Sequence, residues 1–421
     1  MRITIMASTI VTFVLLAIAT RTSAQLRDEF PYIKKAAVIT EVFRTGQQVT
    51  GVLLLFDKEI STSKLTTSTF ECRGREIARI YANYVPDRAA RGADGKYVIV
   101  EFAPSDDLKA VVRTSVGKAR LEVGLSLNQL REVAATDGTV YPAAGAQRIS
   151  TTDVLNVVVD EFKQLEFADP VTGKVLKYNL FVPRHYSREK SYPLVNFMHD
   201  AGGESQTIHE WTLVQSDSAI VWATPEAQAK HECFVLAPQY EHQVVNDNDE
   251  YTEDLDMTIR LIKKLTTEYS IDPRRLYTTG QSGGCMMSMA MGIKYDDFFA
   301  GMLLVAGQWG ADKVAPLADD NIWIIVSEGD ARAYPGMNAV TEALAKHGAK
   351  VSRGVWDAQS SPAEFARVAH GMMAQKANVN YAVFRKGTIP GDETGGGAHM
   401  NSFGYAYSVE AIRDWLFMQE K

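Results

Sequence analysis

The pattern of apolar and polar positions changes character once along the chain. From about Ala36 to Val140, short β-branched runs follow one another: AAVITEV, VTGVLLLF, IARIYANYV, KYVIVEFA and ARLEVGLSL. They are partly alternating and separated by turn-forming segments such as RTGQQ, PDRAARGADG and APSDD, a pattern that predicts evenly spaced strands. Evenly spaced short strands predict a β-sandwich of immunoglobulin-like architecture, although no Cys–Trp–Cys pinning signature is present. No site chemistry is legible in this stretch, which reads as a structural or substrate-orienting module. The small, polar segment Tyr141–Asp153 marks the junction.

Beyond it, strands alternate with helices, the rhythm of a parallel α/β sheet. VLKYNLFVP, PLVNFMH and CFVLAP read as strands, and Asp254–Tyr269 as a helix with Leu255, Ile259, Ile262 and Leu265 on one face. RLYTTG, GMLLVAG, IWIIVSEG and NYAVFRKG follow as strands, interspersed with the helical runs CMMSMAMGI, VTEALAKHG and VEAIRDWLFMQ. A continuous apolar run such as IWIIV suits a strand buried on both faces. The expected fold class is therefore α/β, an α/β-hydrolase fold preceded by an all-β immunoglobulin-like sandwich. Its boundaries are 1–24 for a leader, 25–150 for the sandwich and 151–421 for the catalytic domain.

The leader differs in composition. Arg2 precedes an apolar stretch, Ile3–Ala19, and then Thr22-Ser23-Ala24, small residues suited to cleavage before Gln25. This is the pattern of a secretory signal peptide, and the stretch is short for a membrane-spanning helix of ~20 residues. A secreted or periplasmic location is expected, with no membrane association after cleavage. Three cysteines, Cys72, Cys233 and Cys285, lie far apart without metal-ligand spacing, so neither a disulfide nor a metal site is expected. The formal charge of −7 is spread without long like-charge blocks and excludes nucleic acid as the main partner. The densest acidic run, Asp247–Asp256, reads as a solvated loop leading into a helix N-terminus.

The candidate chemistry centres on Gly280-Gln281-Ser282-Gly283-Gly284, a G-x-S-x-G. Alone the motif is weak. Here it follows a predicted strand and precedes a helix-compatible run, the context of a nucleophile elbow. A serine hydroxyl needs a base to take its proton, and this architecture supplies partners in the order Ser, acid, His. Asp330 follows the IWIIV strand. His399 follows the NYAVF strand and a glycine-rich loop, Gly391–Gly397, ahead of the last helix. Asp320 and Asp357 compete with Asp330; His370 and His347 compete with His399 but lie on or beside predicted helices. Oxyanion donors are expected from the Gly283 amide and from the amide of Asp200 or Ala201, in the loop after PLVNFMH. His199 reads as a packed loop residue rather than a proton carrier. Trp211, Trp309 and Tyr334, together with Gln308, are candidate substrate contacts.

These segments, YNLFVP, YPLVNFMHDAGG, CFVLAPQ, IDPRRLYTTGQSGG, GAHMNSF and IRDWLF, resemble the predicted-peptidase/esterase branch of α/β-hydrolases. Members of that branch carry an immunoglobulin-like N-terminal domain and include carboxylesterases of the EstA type; feruloyl-esterase and polyhydroxybutyrate-depolymerase-like enzymes are more distant relatives. The resemblance implies Ser282 as nucleophile, Asp330 as acid and His399 as base. Two positions depart from the family pattern: His199-Asp200 stands where His-Gly is usual, and Gly283 stands where Met is frequent. The expected function is cofactor-free hydrolysis of short-chain or aryl carboxylic esters, free or attached to polysaccharide, through an acyl-enzyme. A serine peptidase and a non-catalytic binding protein are the competing readings.

Overall fold

The computed structural model describes residue 26 and residues 28–104, 113–114, 117–118, 124–391 and 395–421. The predicted leader 1–24 lies outside the described residues, as does most of the predicted strand ARLEVGLSL. Two compact units emerge, one drawn from the chain before Leu155 and one formed essentially by Leu155–Lys421.

The first unit is β-rich. Strands Ile33–Phe43, Gly46–Ile60, Ile77–Asn83, Gly95–Phe102 and Asp153–Asn156 form a five-stranded sheet, and Phe70–Cys72, Ser126–Gln129 and Ile149–Ser150 a three-stranded one. Val38, Val52, Leu54, Val98 and Val100 are fully buried. A buried carboxylate, Glu101, accepts from Tyr81 Oη at 2.6 Å and pairs with Arg88 and Arg79 at 3.1 and 3.3 Å. Burial raises its pKa, but the bonds from Arg88 and Tyr81 outweigh that and hold it below the usual carboxylate range.

The second unit is a nine-stranded sheet flanked by helices. Its strands are β1 (Phe162–Ala168), β2 (Val175–Phe181), β3 (Tyr192–Met198), β4 (Phe234–Gln239), β5 (Ile271–Gln281), β6 (Gly301–Val305), β7 (Ile322–Ser327), β8 (Val351–Trp356) and β9 (Val379–Phe384). They lie in the order β1-β2-β4-β3-β5-β6-β7-β9-β8. β1 and β2 pair antiparallel, β2 runs antiparallel to β4, and all remaining pairs are parallel. The longer helices are α1 (Asp254–Glu268), α2 (Gly283–Lys294), α3 (Ala333–Lys346), α4 (Pro362–Met373), α5 (Gly395–Ser408) and α6 (Glu410–Phe417), besides the short Trp211–Val214 and Pro225–Lys230.

The central strands β3, β4, β6, β7 and β9 are buried along their whole length, which explains why they read as unbroken apolar runs. The edges are different. β1 (FKQLEFA) and β8 (VSRGVW) carry charged and half-exposed positions, and their polar faces hide them from an apolar-run reading. The helix bounds of α1 follow its apolar face, with Leu255, Ile259, Ile262 and Leu265 buried as the spacing predicts. Asp254 and Asp256 occupy its first turn, where carboxylates complement the helix dipole.

One element differs from expectation at a point that matters. His399 stands ahead of the last helix, as expected, but inside α5, a helix that opens on Gly395-Gly396-Gly397, within the stretch Gly391–Gly397 read as a loop. Glycine is a poor helix former, but burial of Ala398, Phe403, Ala406 and Tyr407 outweighs that intrinsic cost.

Candidate active site

Parallel registers bring the C-terminal ends of β3, β5, β6 and β7 to one edge. Met198 of β3 lies opposite Gly280 of β5, and Gln281 lies opposite Val305 of β6. Ser282 follows β5 immediately and caps α2, with φ 52° and ψ −117°. That left-handed-side conformation is strained for a residue with a Cβ, and it persists because the surroundings hold it. The Ser282 amide donates to Val305 O at 2.9 Å. At Gly284 a Cβ would stand 1.9 Å from Met198 O, so β3 and α2 approach this closely only with glycine there.

The side chain of Ser282 meets a continuous relay. His399 Nε2 lies 2.9 Å from Ser282 Oγ, and His399 Nδ1 lies 2.5 Å from Asp330 Oδ2. The other carboxylate oxygen of Asp330 accepts from the amides of Arg332 and Ala333, both at 3.0 Å. Asp330 is buried. Burial pushes its carboxyl up, yet the His399 bond and the two amides prevail and keep it below the ordinary carboxylate range. An ionised Asp330 fixes the Nδ1–H tautomer of His399, leaving Nε2 to accept from Ser282. The ring of Phe403, one turn along α5, packs edge-on to His399 at 5.1 Å.

The amide of Gly283 sits in the first turn of α2, where backbone N–H groups have no partner within the helix. Ala201 lies against it: a Cβ on Gly283 would stand 2.9 Å from Ala201 N and 3.4 Å from Ala201 Cβ. The departure at Gly283 therefore has a steric counterpart, since Ala201 occupies the space a side chain would take. The loop of Asp200 and Ala201 is braced from behind. His199 Nδ1 donates to Asp200 O at 2.8 Å, and its Nε2 accepts from the Tyr240 amide at 3.3 Å. Those two bonds define a neutral ring with a loop-shaping role. Trp211 Nε1 adds a bond to Gly202 O at 3.3 Å. The Asp200 carboxyl is buried, and burial pushes its pKa up.

A cavity of about 320 Å3 opens beside Ser282 and His399. Met286, Ala306, Gly307, Ala331 and Ala333 supply small or apolar walls, and Gln308, Arg332 and Asp247 supply polar ones. Gln308, a candidate contact, lines this cavity. The other three candidate contacts sit elsewhere. Trp211 is buried on a single helical turn, Trp309 is buried in the core, and Tyr334 lines a separate shallow hollow with Asn338 and Arg353. Aromatic residues near strand ends were plausible contacts, but their apolar area is absorbed by packing. The rivals of the relay also separate: His347 and His370 lie at the ends of α3 and α4, and Asp320 precedes β7 at its opposite end. Asp247 and Arg332 escaped the sequence reading; their only signal was the acidic run, which does not reveal what it folds against. Among the described residues no group of three His, Cys, Asp or Glu side chains could hold a metal ion.

Residues 35–142 match the family model of the esterase Ig-like N-terminal domain. A thermostable esterase of known structure superposes over 92% of this chain and 100% of its own, with a TM-score of 0.76 and 26% identity. The chain is similar to EstA-like esterases, with an α/β-hydrolase fold that follows an N-terminal immunoglobulin-like domain. NocK of Nocardia uniformis subsp. tsuyamanensis, to which an esterase role is ascribed, is 27% identical over 243 residues, 53% of this chain and 69% of NocK. In this EstA-like chain the N-terminal match falls on the β-rich unit, and the sheet order and elbow belong to the second.

Proposed function

We propose that this protein is a secreted serine carboxylesterase that hydrolyses short-chain or aryl carboxylic esters through an acyl-enzyme. The observation that carries the reading is the relay Ser282 Oγ–His399 Nε2, His399 Nδ1–Asp330 Oδ2, set on a strained elbow beside the Ala201 amide. Ser282 Oγ attacks the ester carbonyl as His399 takes its proton, and Asp330 stabilises the resulting imidazolium. The amides of Gly283 and of Ala201 or Asp200 receive the negative charge of the tetrahedral intermediate. His399 returns the proton to the leaving alcohol. A water deprotonated by His399 then releases the acid and restores Ser282. No step draws on a cofactor. Export is supported by the apolar N-terminal stretch and its small-residue cleavage pattern.

Mature wild-type protein and Ser282→Ala should be assayed on p-nitrophenyl esters of graded chain length and on peptide anilides. The reading expects ester turnover well above peptide turnover, abolished by the substitution. Ester turnover that survives Ser282→Ala rejects the mechanism. Peptide turnover exceeding ester turnover makes the protein a peptidase instead.

A further inference from the structure

The acidic run is a solvated loop leading into α1, and it also forms a tight strap against the catalytic cavity. Between β4 and α1, residues Val245 and Tyr251 form an antiparallel bridge. Asn246 Oδ1 accepts from the amides of Asn248 and Glu250 at 2.9 and 3.2 Å, and Asn246 Nδ2 donates to Glu250 at 2.7 Å. Asp249 completes the turn with φ 57°. Two carboxylates of this turn reach the segment that follows β6. Asp249 accepts from the Gly310 amide at 3.0 Å and pairs with Lys313 at 3.2 Å. Asp247 accepts from Gln308 Nε2 at 3.1 Å and pairs with Arg332 Nη2 at 2.8 Å.

The second of these contacts lies on the cavity itself. Asp247, Gln308 and Arg332 all line it, and its inner wall is Ser282, Met286 and Ala333. Met286 and Ala333 are buried and Ser282 is half-buried, whereas the side chains of Arg332 and Asp247 are 65% and 55% exposed. The ion pair therefore spans the solvent rim. Arg332 is also tied to the chemistry, because its backbone amide holds Asp330 while its side chain holds the strap.

We propose that the Asp247–Arg332 pair is a clasp that determines specificity, restricting this cavity to compact, uncharged substituents of the ester. The inference rests on the esterase reading of Ser282. With the pair formed, each rim charge is answered by the other, and neither is offered to a charged substrate. A substituent longer than the cavity must displace the strap. An exposed pair of this kind is individually weak, so the clasp biases selection by size and charge rather than sealing the site. Opening it widens the mouth and leaves Arg332 unanswered, which favours bulky and carboxylate-bearing groups.

The test compares wild type, Asp247→Ala, Asp247→Asn and the exchanged pair Asp247→Arg/Arg332→Asp, each checked for an unchanged circular dichroism spectrum. The readout is the ratio of kcat/KM for p-nitrophenyl octanoate and for p-nitrophenyl hemisuccinate to that for acetate. The same ratio is read, without turnover, from labelling rates with a short and a long alkyl fluorophosphonate. The clasp predicts that both single substitutions raise the long-to-short ratio about tenfold, the scale on which pocket contacts discriminate. It predicts that the exchanged pair returns the ratio toward wild type. Ratios within twofold of wild type in both single variants overturn the clasp. Ser282→Ala, run in parallel, reports on the esterase reading separately, since loss of acetate turnover and labelling there does not depend on the rim.

Discussion

At Ser282 the chain accepts an unfavourable backbone, and three neighbours make it useful: a histidine at 2.9 Å, a carboxylate behind that histidine, and a glycine with Ala201 pressed against it. The carboxylate and the glycine each support a separate prediction. Asp330→Asn keeps the shape of the relay but removes the charge that selects the His399 tautomer; kcat should fall about 10⁴-fold with KM little changed. Gly283→Ala drives a methyl group to within 2.9 Å of the Ala201 amide. The displacement should cost about 10²–10³-fold in kcat, the scale of losing one oxyanion donor, while the fluorescence midpoint of unfolding moves only slightly. A third residue reports on stability. Asp217 is half-buried, and desolvation pushes its carboxyl up to about 6, against an attraction to nearby arginines that pulls it down. An unfolded aspartate ionises near pH ~3.9, so between that pH and 6 the unfolded chain loses protons that the native chain keeps. Native stability must therefore decline across this window and remain lower above it. Asp217→Asn should raise the thermal midpoint at pH 8 and leave it nearly unchanged at pH 4; an equal shift at both values contradicts the assignment. Ser282 was legible from its G-x-S-x-G motif between strand and helix, and Asp330 and His399 because they follow apolar strands in the order this fold demands. Asp247 was not legible, because its meaning lies in contacts with Gln308 and Arg332, far along the chain.

At the level of elements, the legible parts were those with an unbroken apolar signature. β3, β4, β7 and α1 fall where the hydrophobic pattern puts them, whereas β1 and β8 lie at the two edges of the sheet, where polar residues face solvent and the signal fades. The helical setting of His399 was illegible for the opposite reason: a triple glycine argues against the helix that tertiary burial enforces. A tie between elements is equally invisible in the pattern. Asp169, in the turn joining β1 to β2, receives Arg260 of α1 through two bonds, at 2.6 and 2.7 Å, and also binds Thr172. The Arg260 guanidinium, foremost, holds the Asp169 carboxyl far below the ordinary range. Its folded pKa is depressed, so its contribution is present above the unfolded carboxylate pKa and is lost as pH falls toward the folded value. Asp169→Asn leaves the half-buried guanidinium without its bidentate carboxylate partner and should destabilise the unit by about 3 kcal/mol in urea unfolding at pH 7. The difference from wild type should shrink as the pH is lowered below 4.

Across the whole chain, stability owes nothing to cross-linking by its cysteines. Cys72, Cys233 and Cys285 are buried free thiols in the structure, as their wide separation suggested. Burial pushes Cys233 up to about 12 and Cys285 higher still, so neither offers a thiolate near neutral pH. Native protein should resist a maleimide reagent, react at three thiols once denatured, and show the same melting temperature with and without reductant. The change from a β-rich N-terminal region to an α/β fold was legible from the hydrophobic rhythm, because period-two and mixed patterns differ over tens of residues. The central claim concerns Ser282. Intact protein treated with a fluorophosphonate and digested for peptide mass spectrometry tests it most directly. The account predicts one phosphonyl adduct, confined to the peptide containing Ser282, with ester hydrolysis falling in step with adduct formation. An adduct on another residue, or full hydrolysis by the fully labelled protein, contradicts it.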